Sequence, residues 1–496
     1  MTTPADHHDA RRAPVSRRPR GAHRRLVAIA AAALLVAAAC GSSLTDAEVL
    51  AANGVAPGAT GVSGDGSATG GAATGTGTAS DPGTATGTGT GTGAGPATGS
   101  ATGTGTGTGT GAPAGGDAAP VTTAPGAVGT PGETGPIVIG SVGNYSGPAG
   151  AAQVGFPRAV QVWAAAVNAN GGLFGREVQV IVQDDGGDPA RYAAAVQDLV
   201  ENRGVIAFVG QAAVLSVRGG LQYLAEHRIP VIGTDCSAPE WYEASPNNFP
   251  QCADSTGQSY TYMNAAVRLA GQTRLGFVFC GESPTCTANA PLYQDSSPAG
   301  AQTVYSAQIS IAQVDFTANC QAAQRAGVEI MAVLADPGTL ARFVRSCDPQ
   351  GFSPQYVAIS ISALADTVQL PGLSSVVLGL PTFPFAGASS PAIDEFRAAM
   401  EQFGNGEPDP AESAGWAAAK LFELAANRAA TASGSLSSAT LLTAMRTVQG
   451  ETLGGLTVAL DFTNETPNNQ PCAFVMQGDG QGGWAAPFGP DLQCIG

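Results

Sequence analysis

From residue 136 onward the chain alternates short apolar runs with longer amphipathic ones, and this alternation limits the fold more than any other feature. "PIVIGSVG" reads as a buried strand running into a glycine turn, and "FPRAVQVWAAAVNANGG" as a helix with one apolar face and a glycine stop. "EVQVIVQDD" is a strand. "DPARYAAAVQDLVENRG" is a helix with Asp188 at its N-cap and Pro189 in its first turn. "VIAFVG", "LSVRGGLQYLAEHR" and "IPVIGTD" give strand, helix and strand. "TRLGFVFCG", "DFTANCQAAQRAG", "VEIMAVLAD", "TLARFVRSC" and "QYVAISIS" carry the pattern on. Apolar strands in strict alternation with helices predict an α/β protein, its parallel sheets covered on both faces. The residues from 136 to 496 are enough for two such sheets.

The region before 136 has a different character. The first 25 residues hold seven Arg and two Asp, and an uncharged apolar run, Leu26 to Ala39, follows and ends "LLVAAAC". A basic start, a short apolar stretch and small residues read as a cleaved export signal over 1–39, too short to span a membrane. Small residues followed by Cys40 and Gly resemble the lipobox of bacterial lipoproteins, with Ala37 where that motif usually has Leu. The resemblance implies cleavage before Cys40, acylation of its thiol, and a location on the extracytoplasmic face of the cell membrane. Residues 40–135 are then a lipid-anchored linker. From 54 on they are almost entirely Gly, Ala, Thr, Ser and Pro, with nothing to bury. About 80 residues of such chain span roughly 50 Å.

Without its signal the chain goes from a formal charge of −16 to −21, which argues against nucleic acid as a partner. Eight cysteines remain after Cys40, and they fall into four neighbours along the chain: Cys236 with Cys252, Cys280 with Cys286, Cys320 with Cys347, and Cys472 with Cys494. Sequence alone does not choose the connectivity, but local pairing suits an oxidising compartment. No CxxC pair offers a zinc site, and no metal or cofactor is expected. His227, the one histidine left, lies in a predicted helix away from the strand ends, which argues against triad catalysis. GxSxG, HExxH and P-loop patterns are missing from the sequence, so an enzyme is not expected.

The segments "IVIGSVGNYSGPAG", "AVNANGGLFGREVQVIVQDDGGDPARYAAAVQDLVENRGVIAFVG" and "IPVIGTDCSAPEW" resemble the type I periplasmic binding proteins, in the branch of the leucine/isoleucine/valine-binding proteins of ABC importers. "FTANCQAAQRAGVEIMAV", "PAESAGWAAAKLFELAA" and "GLTVALDF" continue the likeness in order, so that it covers 136–496. The resemblance implies an α/β fold of two lobes, with a ligand cleft between them that closes like a hinge. Lobe one takes 136–253 plus 380–450, and lobe two 254–379 plus 451–496. The glycines of "NANGG" are expected to turn the first helix back onto the sheet. Asp184 and Asp185 end a strand on the ligand-binding edge, in a loop expected to be mostly structural.

Site residues also follow from the resemblance. The family's loop after the strand matched by "IPVIGTD" holds a ligand's carboxylate and amino group. Here it reads "TDCSAP", with Ser237 at the hydroxyl position and Asp235 and Cys236 at small ones. Ser237 either meets the ligand or caps a helix. Asp235 in the cleft would repel an anion and receive an amine or hydroxyl. Val214 aligns with the family's serine after "VIAFVG", and Ser216 lies two residues on. "CADSTGQ" matches an Asp-bearing crossover, so Asp254 is a ligand contact or a helix N-cap. "CGESPTC" puts Thr285 where the family has a tyrosine, and "AISIS" puts Ser360 and Ser362 where it has an acid, with Asp336 as a substitute. Tyr145 and Trp241 either line the cleft or belong to the core. The function implied is a solute-binding lipoprotein that captures a small polar molecule, an amino acid or relative, for an ABC transporter permease. The alternative is a sensor of the same fold that signals through a partner protein.

Overall fold

The computed structural model describes residues 135–494, apart from 148, 244, 283–285, 289, 292–297, 299 and 466–469. The export signal, Cys40, the linker up to 134 and Thr285 lie outside the described residues.

The first sheet is parallel, in the order β2-β1-β3-β4-β5: Ile137–Gly143 (β1), Val178–Asp184 (β2), Phe208–Gln211 (β3), Val231–Thr234 (β4) and Asn248–Phe249 (β5). β1 and β2 run in register from Ile137 opposite Val178 to Gly143 opposite Asp184. Helices Gly155–Ala169 (α1) and Pro189–Arg203 (α2) supply the crossovers. Asp188 caps α2 as expected, accepting from the N–H groups of Ala190 and Arg191. After α1 the chain reverses at Gly172, whose φ of +81° no bulkier residue adopts easily, and whose N–H returns to Val167.

One predicted helix breaks. "LSVRGGLQYLAEHR" forms a 3₁₀ turn, Val217–Gly219, and then a short helix, Leu221–Glu226 (α3). Gly219 lies against the backbone of Pro189 so closely that a Cβ would meet its carbonyl oxygen at 1.9 Å. The pair Gly219–Gly220 lets α2 approach, and a continuous helix gives way to that packing.

The second sheet runs β14-β13-β10-β9-β8-β6-β7. Its parallel strands are Arg274–Cys280 (β6), Gln302–Ile309 (β7), Ile330–Leu334 (β8), Gln355–Ile359 (β9) and Val377–Leu380 (β10). Ser255–Ala270 (α4), Thr317–Ala326 (α5) and Pro337–Cys347 (α6) join this lobe. The chain then returns to the first sheet with Pro391–Phe403 (α7), Pro410–Ser433 (α8) and Ser438–Met445 (α9). α8 packs on α1, β3 and β4, and its buried face is nearly continuous.

A small hairpin, Gln449–Glu451 (β11) with Leu460–Asp461 (β12), stays with the first lobe. Phe462 stands edge-on to Phe249 at 5.4 Å, and Arg446 donates to the carbonyls of Phe462 and Ser245. The last crossover therefore follows this hairpin, later than the 450/451 boundary read from the sequence. Cys472–Gly478 (β13), Trp484–Ala485 (β14) and Gln493–Cys494 (β15) complete the second sheet on its antiparallel edge. Disulfides join Cys236 to Cys252, Cys280 to Cys286, Cys320 to Cys347 and Cys472 to Cys494, the four neighbour pairs expected.

Candidate functional site

A cavity of about 180 Å³ lies where the two parallel sheets present their carboxyl ends. From the first lobe come Ala149, Ala152 and Gln153 after β1, Val214 and Leu215 after β3, and Cys236 and Ser237 after β4. Ser255 and Gln258 belong to the first crossover. The second lobe adds Cys280 and Glu282 at the end of β6, Ile311 after β7, Leu334 to Asp336 after β8, and Ile359 to Ile361 after β9. The turn at Gly150–Ala152 packs directly against the turn at Ser360–Ser362 of the other lobe. An open groove of about 410 Å³ elsewhere is lined only by second-lobe residues between 314 and 350. The two-lobe cavity is the better candidate, because the carboxyl ends of strands from both sheets converge on it.

Most of the acidic groups on the first lobe's edge are consumed internally. Asp235 is 1% exposed. Its Oδ1 accepts from the Ser237 N–H, the Ser237 hydroxyl and the Ala238 N–H at 2.9, 2.8 and 3.0 Å. Its Oδ2 accepts from the Ala213 N–H and the Trp241 indole at 3.2 and 2.9 Å. Five donors leave no lone pair facing the cavity, which Asp235 does not line. The expectation that this carboxylate meets the ligand is corrected: it is the hub that shapes the loop. Next to it Cys236 holds φ at +63°, a left-handed conformation uncommon outside glycine, fixed by its disulfide and by the hydrogen-bond fan of Asp235.

Asp184 and Asp185 work similarly. Asp184 accepts from the N–H groups of Tyr145 and Gly186. Burial would raise its pKa, but hydrogen bonds from Ser146, Gly186 and Tyr145 outweigh that and hold it below the ordinary range. Asp185 is fully buried and accepts from Asn144, Gly187 and Ser216. Burial raises its pKa despite those bonds. Ser216 is therefore spent on Asp185 and Asn144 and does not line the cavity. Tyr145 exchanges a hydrogen bond with Ser141 at 2.8 Å and packs beside Phe156, Ala212, Ala411 and Ala414; burial pushes its phenol well above the usual range. Trp241 is in the core.

Asp254 caps α4 by accepting from the Gly257 N–H at 2.9 Å, the alternative reading of that residue, and is not part of the cavity wall. Ser362 turns inward, donating to the carbonyls of Val333 and Ala335. The predicted strand "QYVAISIS" stops at Ile359 because Ser360–Ser362 form a 3₁₀ turn there. The cavity thus brings together Cys236, Ser237, Asp336 and Ser360 of the residues expected from sequence. It does not bring in Tyr145, Ser216, Asp235, Asp254 or Ser362.

The sequence reading missed Gln153, Gln258, Glu282, Leu215 and Ile311, whereas Ile359 and Ile361 lie in the 359–363 loop expected at the ligand. All lie at or near the ends of recognisable strands or at a crossover, which was the available signal. Gln258 is locked by its own bonds to Cys236 O, Ala253 O and the Tyr262 hydroxyl. The charged residues of the wall are both acids. Glu282 accepts from Ser310 and from the N–H groups of Gly281 and Ile311; these bonds overcome its burial and hold its pKa below the usual carboxylate range. Asp336 caps α6 through the Thr339 N–H at 3.0 Å and the Thr339 hydroxyl.

A family profile described as periplasmic binding protein matches residues 136–483. The chain belongs to the periplasmic binding protein family. Solved structures agree on the fold of this periplasmic binding protein. A branched-chain amino acid ABC transporter protein from Thermus thermophilus with bound valine superposes with a TM-score of 0.63 at 18% identity, covering 73% of this chain and 98% of that one. A fatty acid ABC transporter substrate-binding protein from Thermomonospora curvata gives 0.62 at 18%, covering 72% and 93%. A solute-binding protein of an ABC transporter from R. palustris, in complex with benzoate, gives 0.58 at 15%, covering 71% and 96%. No curated protein sequence matches the chain. The family is one of extracytoplasmic solute-binding proteins, and this member carries its two-lobed type I fold.

Proposed function

We propose that this periplasmic binding protein captures a small, largely apolar molecule between its lobes and delivers it to an ABC importer. The cavity carries the reading: nine of its nineteen lining residues are Ala, Val, Leu or Ile, three more are disulfide cysteines, and none is Lys, Arg or His. A wall of that kind gains from covering apolar surface, at about 25 cal/mol per Å². It offers no cation to an isolated carboxylate. The small polar molecule expected from sequence therefore gives way to one with an apolar body. Valine and benzoate, bound in two structural neighbours, and the fatty acid for which a third is named share an apolar body with this class, although each also carries a carboxylate. Delivery from a fixed point follows from Cys40 as a lipidated anchor and the Gly- and Thr-rich linker as a tether.

A thermal-shift screen of small amides, alcohols, aromatic acids, aliphatic acids, amino acids, charged sugars and phosphates tests the reading. A ligand at 100 times its dissociation constant raises stability by about 2.7 kcal/mol. A panel in which only strongly charged sugars or phosphates stabilise the protein contradicts it.

A further inference from the structure

Among the described residues of the cavity wall, Gln153 carries a buried polar atom whose hydrogen-bonding need is unmet. Gln153 is 1% exposed and follows the turn that touches the other lobe. Its Oε1 has no hydrogen-bond partner among the described residues. Other buried side-chain atoms share that condition, including Gln211 Nε2, Tyr356 Oη and Trp416 Nε1. None of them belongs to a residue that lines the cavity; Gln153 does. The other first-lobe wall residues after β1 and β3, Ala149, Ala152, Val214 and Leu215, cannot donate from their side chains. Leaving a buried carbonyl unpaired is unfavourable, and a fold retains it where an outside donor completes it.

We propose that Gln153 is the specificity determinant of the cleft, and that its side-chain carbonyl receives an N–H or O–H donor of an otherwise apolar ligand. The inference rests on capture in this cavity and narrows the ligand class. Glu282 and Asp336 bias the wall the same way: both are acids, and neither has a cationic neighbour in the lining. The class is a neutral or cationic molecule with an apolar body and a donor at one end, such as a primary amide, an alcohol or an amine. At about 180 Å³ the space is below the roughly 300–1,000 Å³ of ordinary ligand sites, so the molecule is small.

Matched probes separate the donor from the shape. Benzamide and acetophenone differ by NH₂ against CH₃, as do 4-methylpentanamide and 5-methylhexan-2-one. Each is titrated calorimetrically into the full chain, into Gln153→Met and into Gln153→Glu. The parent is expected to bind an amide at least tenfold more tightly than its ketone, the size of one buried hydrogen bond. Gln153→Met is expected to bind both members alike and to melt no lower than the parent, because it removes an unpaired polar atom. Gln153→Glu keeps an acceptor and is expected to keep the preference. Equal binding of amide and ketone by the parent, or full preference retained in Gln153→Met, overturns the role of Gln153 and leaves capture standing. If no member of either pair binds the parent, while the thermal-shift screen yields ligands, the donor-bearing apolar class is wrong. If the screen also yields none, capture fails with it.

Discussion

Asp235 Oδ1 accepts both the backbone N–H and the hydroxyl of Ser237, at 2.9 and 2.8 Å, so that the residue expected to face the ligand instead holds its neighbour in place. Ser237 lines the cavity and Asp235 does not. The loop's shape is thus stored in a buried carboxylate one layer behind the wall. Asp235→Ala leaves the Trp241 indole and three backbone N–H groups without their acceptor. The expected loss is about 3 kcal/mol or more of folding stability, read from urea midpoints. Asp235→Asn, which still presents one oxygen, is expected to lose less. An alanine variant as stable as the parent contradicts the hub.

The start of α8 should make stability depend on pH. Asp409 and Glu412 form a reciprocal capping box there, with Arg158 bound to Glu412 and 3.5 Å from Asp409. Both carboxyls are buried. Burial first, and then the charge of Asp409, push Glu412 up to about 7 despite the attraction of Arg158. Burial raises Asp409 as well. A raised carboxyl pKa means that the folded state holds its proton more tightly than the unfolded chain. The contribution is fully present below the unfolded pKa and is lost as pH rises toward about 7. Unfolding free energy is therefore expected to fall as pH rises from about 5 to about 8. In Glu412→Gln the slope should flatten. Urea titrations across that range check it, and a slope unchanged by the substitution contradicts the assignment.

The pattern around Cys40 gives a cellular prediction. Cys40→Ser should move the protein from the membrane fraction to the soluble extracytoplasmic fraction. Mass spectrometry of the parent should find an acylated Cys40 and nothing before it. An intact N-terminus, or unchanged membrane association of the variant, refutes the anchor.

Much of the fold was legible because parallel strands buried on both faces leave long apolar runs, and because caps such as Asp188 act through neighbours in the chain. The disulfides were legible for the same local reason. The site was harder to read. Whether Asp235 points into the cleft or into its own loop depends on Trp241 and Ala213, which reach it only in the folded structure. Ser216 presented the same difficulty, since Asp185 and Asn144 claim its hydroxyl from other loops. Gln153 carried no motif at all. Its importance comes from what fails to touch it, and that shows only once the surrounding walls are in place. The glycines at 219 and 220 are compatible with a helix in the sequence alone, and only the packing of Pro189 against Gly219 excludes it.

Filling the cavity from each side tests the central claim most directly. Leu215 belongs to the first lobe and Ile361 to the second, and both line the cavity without being fully buried. Leu215→Trp and Ile361→Trp should fold like the parent, because each indole enters open space rather than packed core. Calorimetric titration with the best ligand from the thermal-shift screen should show its affinity reduced at least a hundredfold in both variants. Parent-like affinity in both, with both still folded, would place the binding site elsewhere on the molecule.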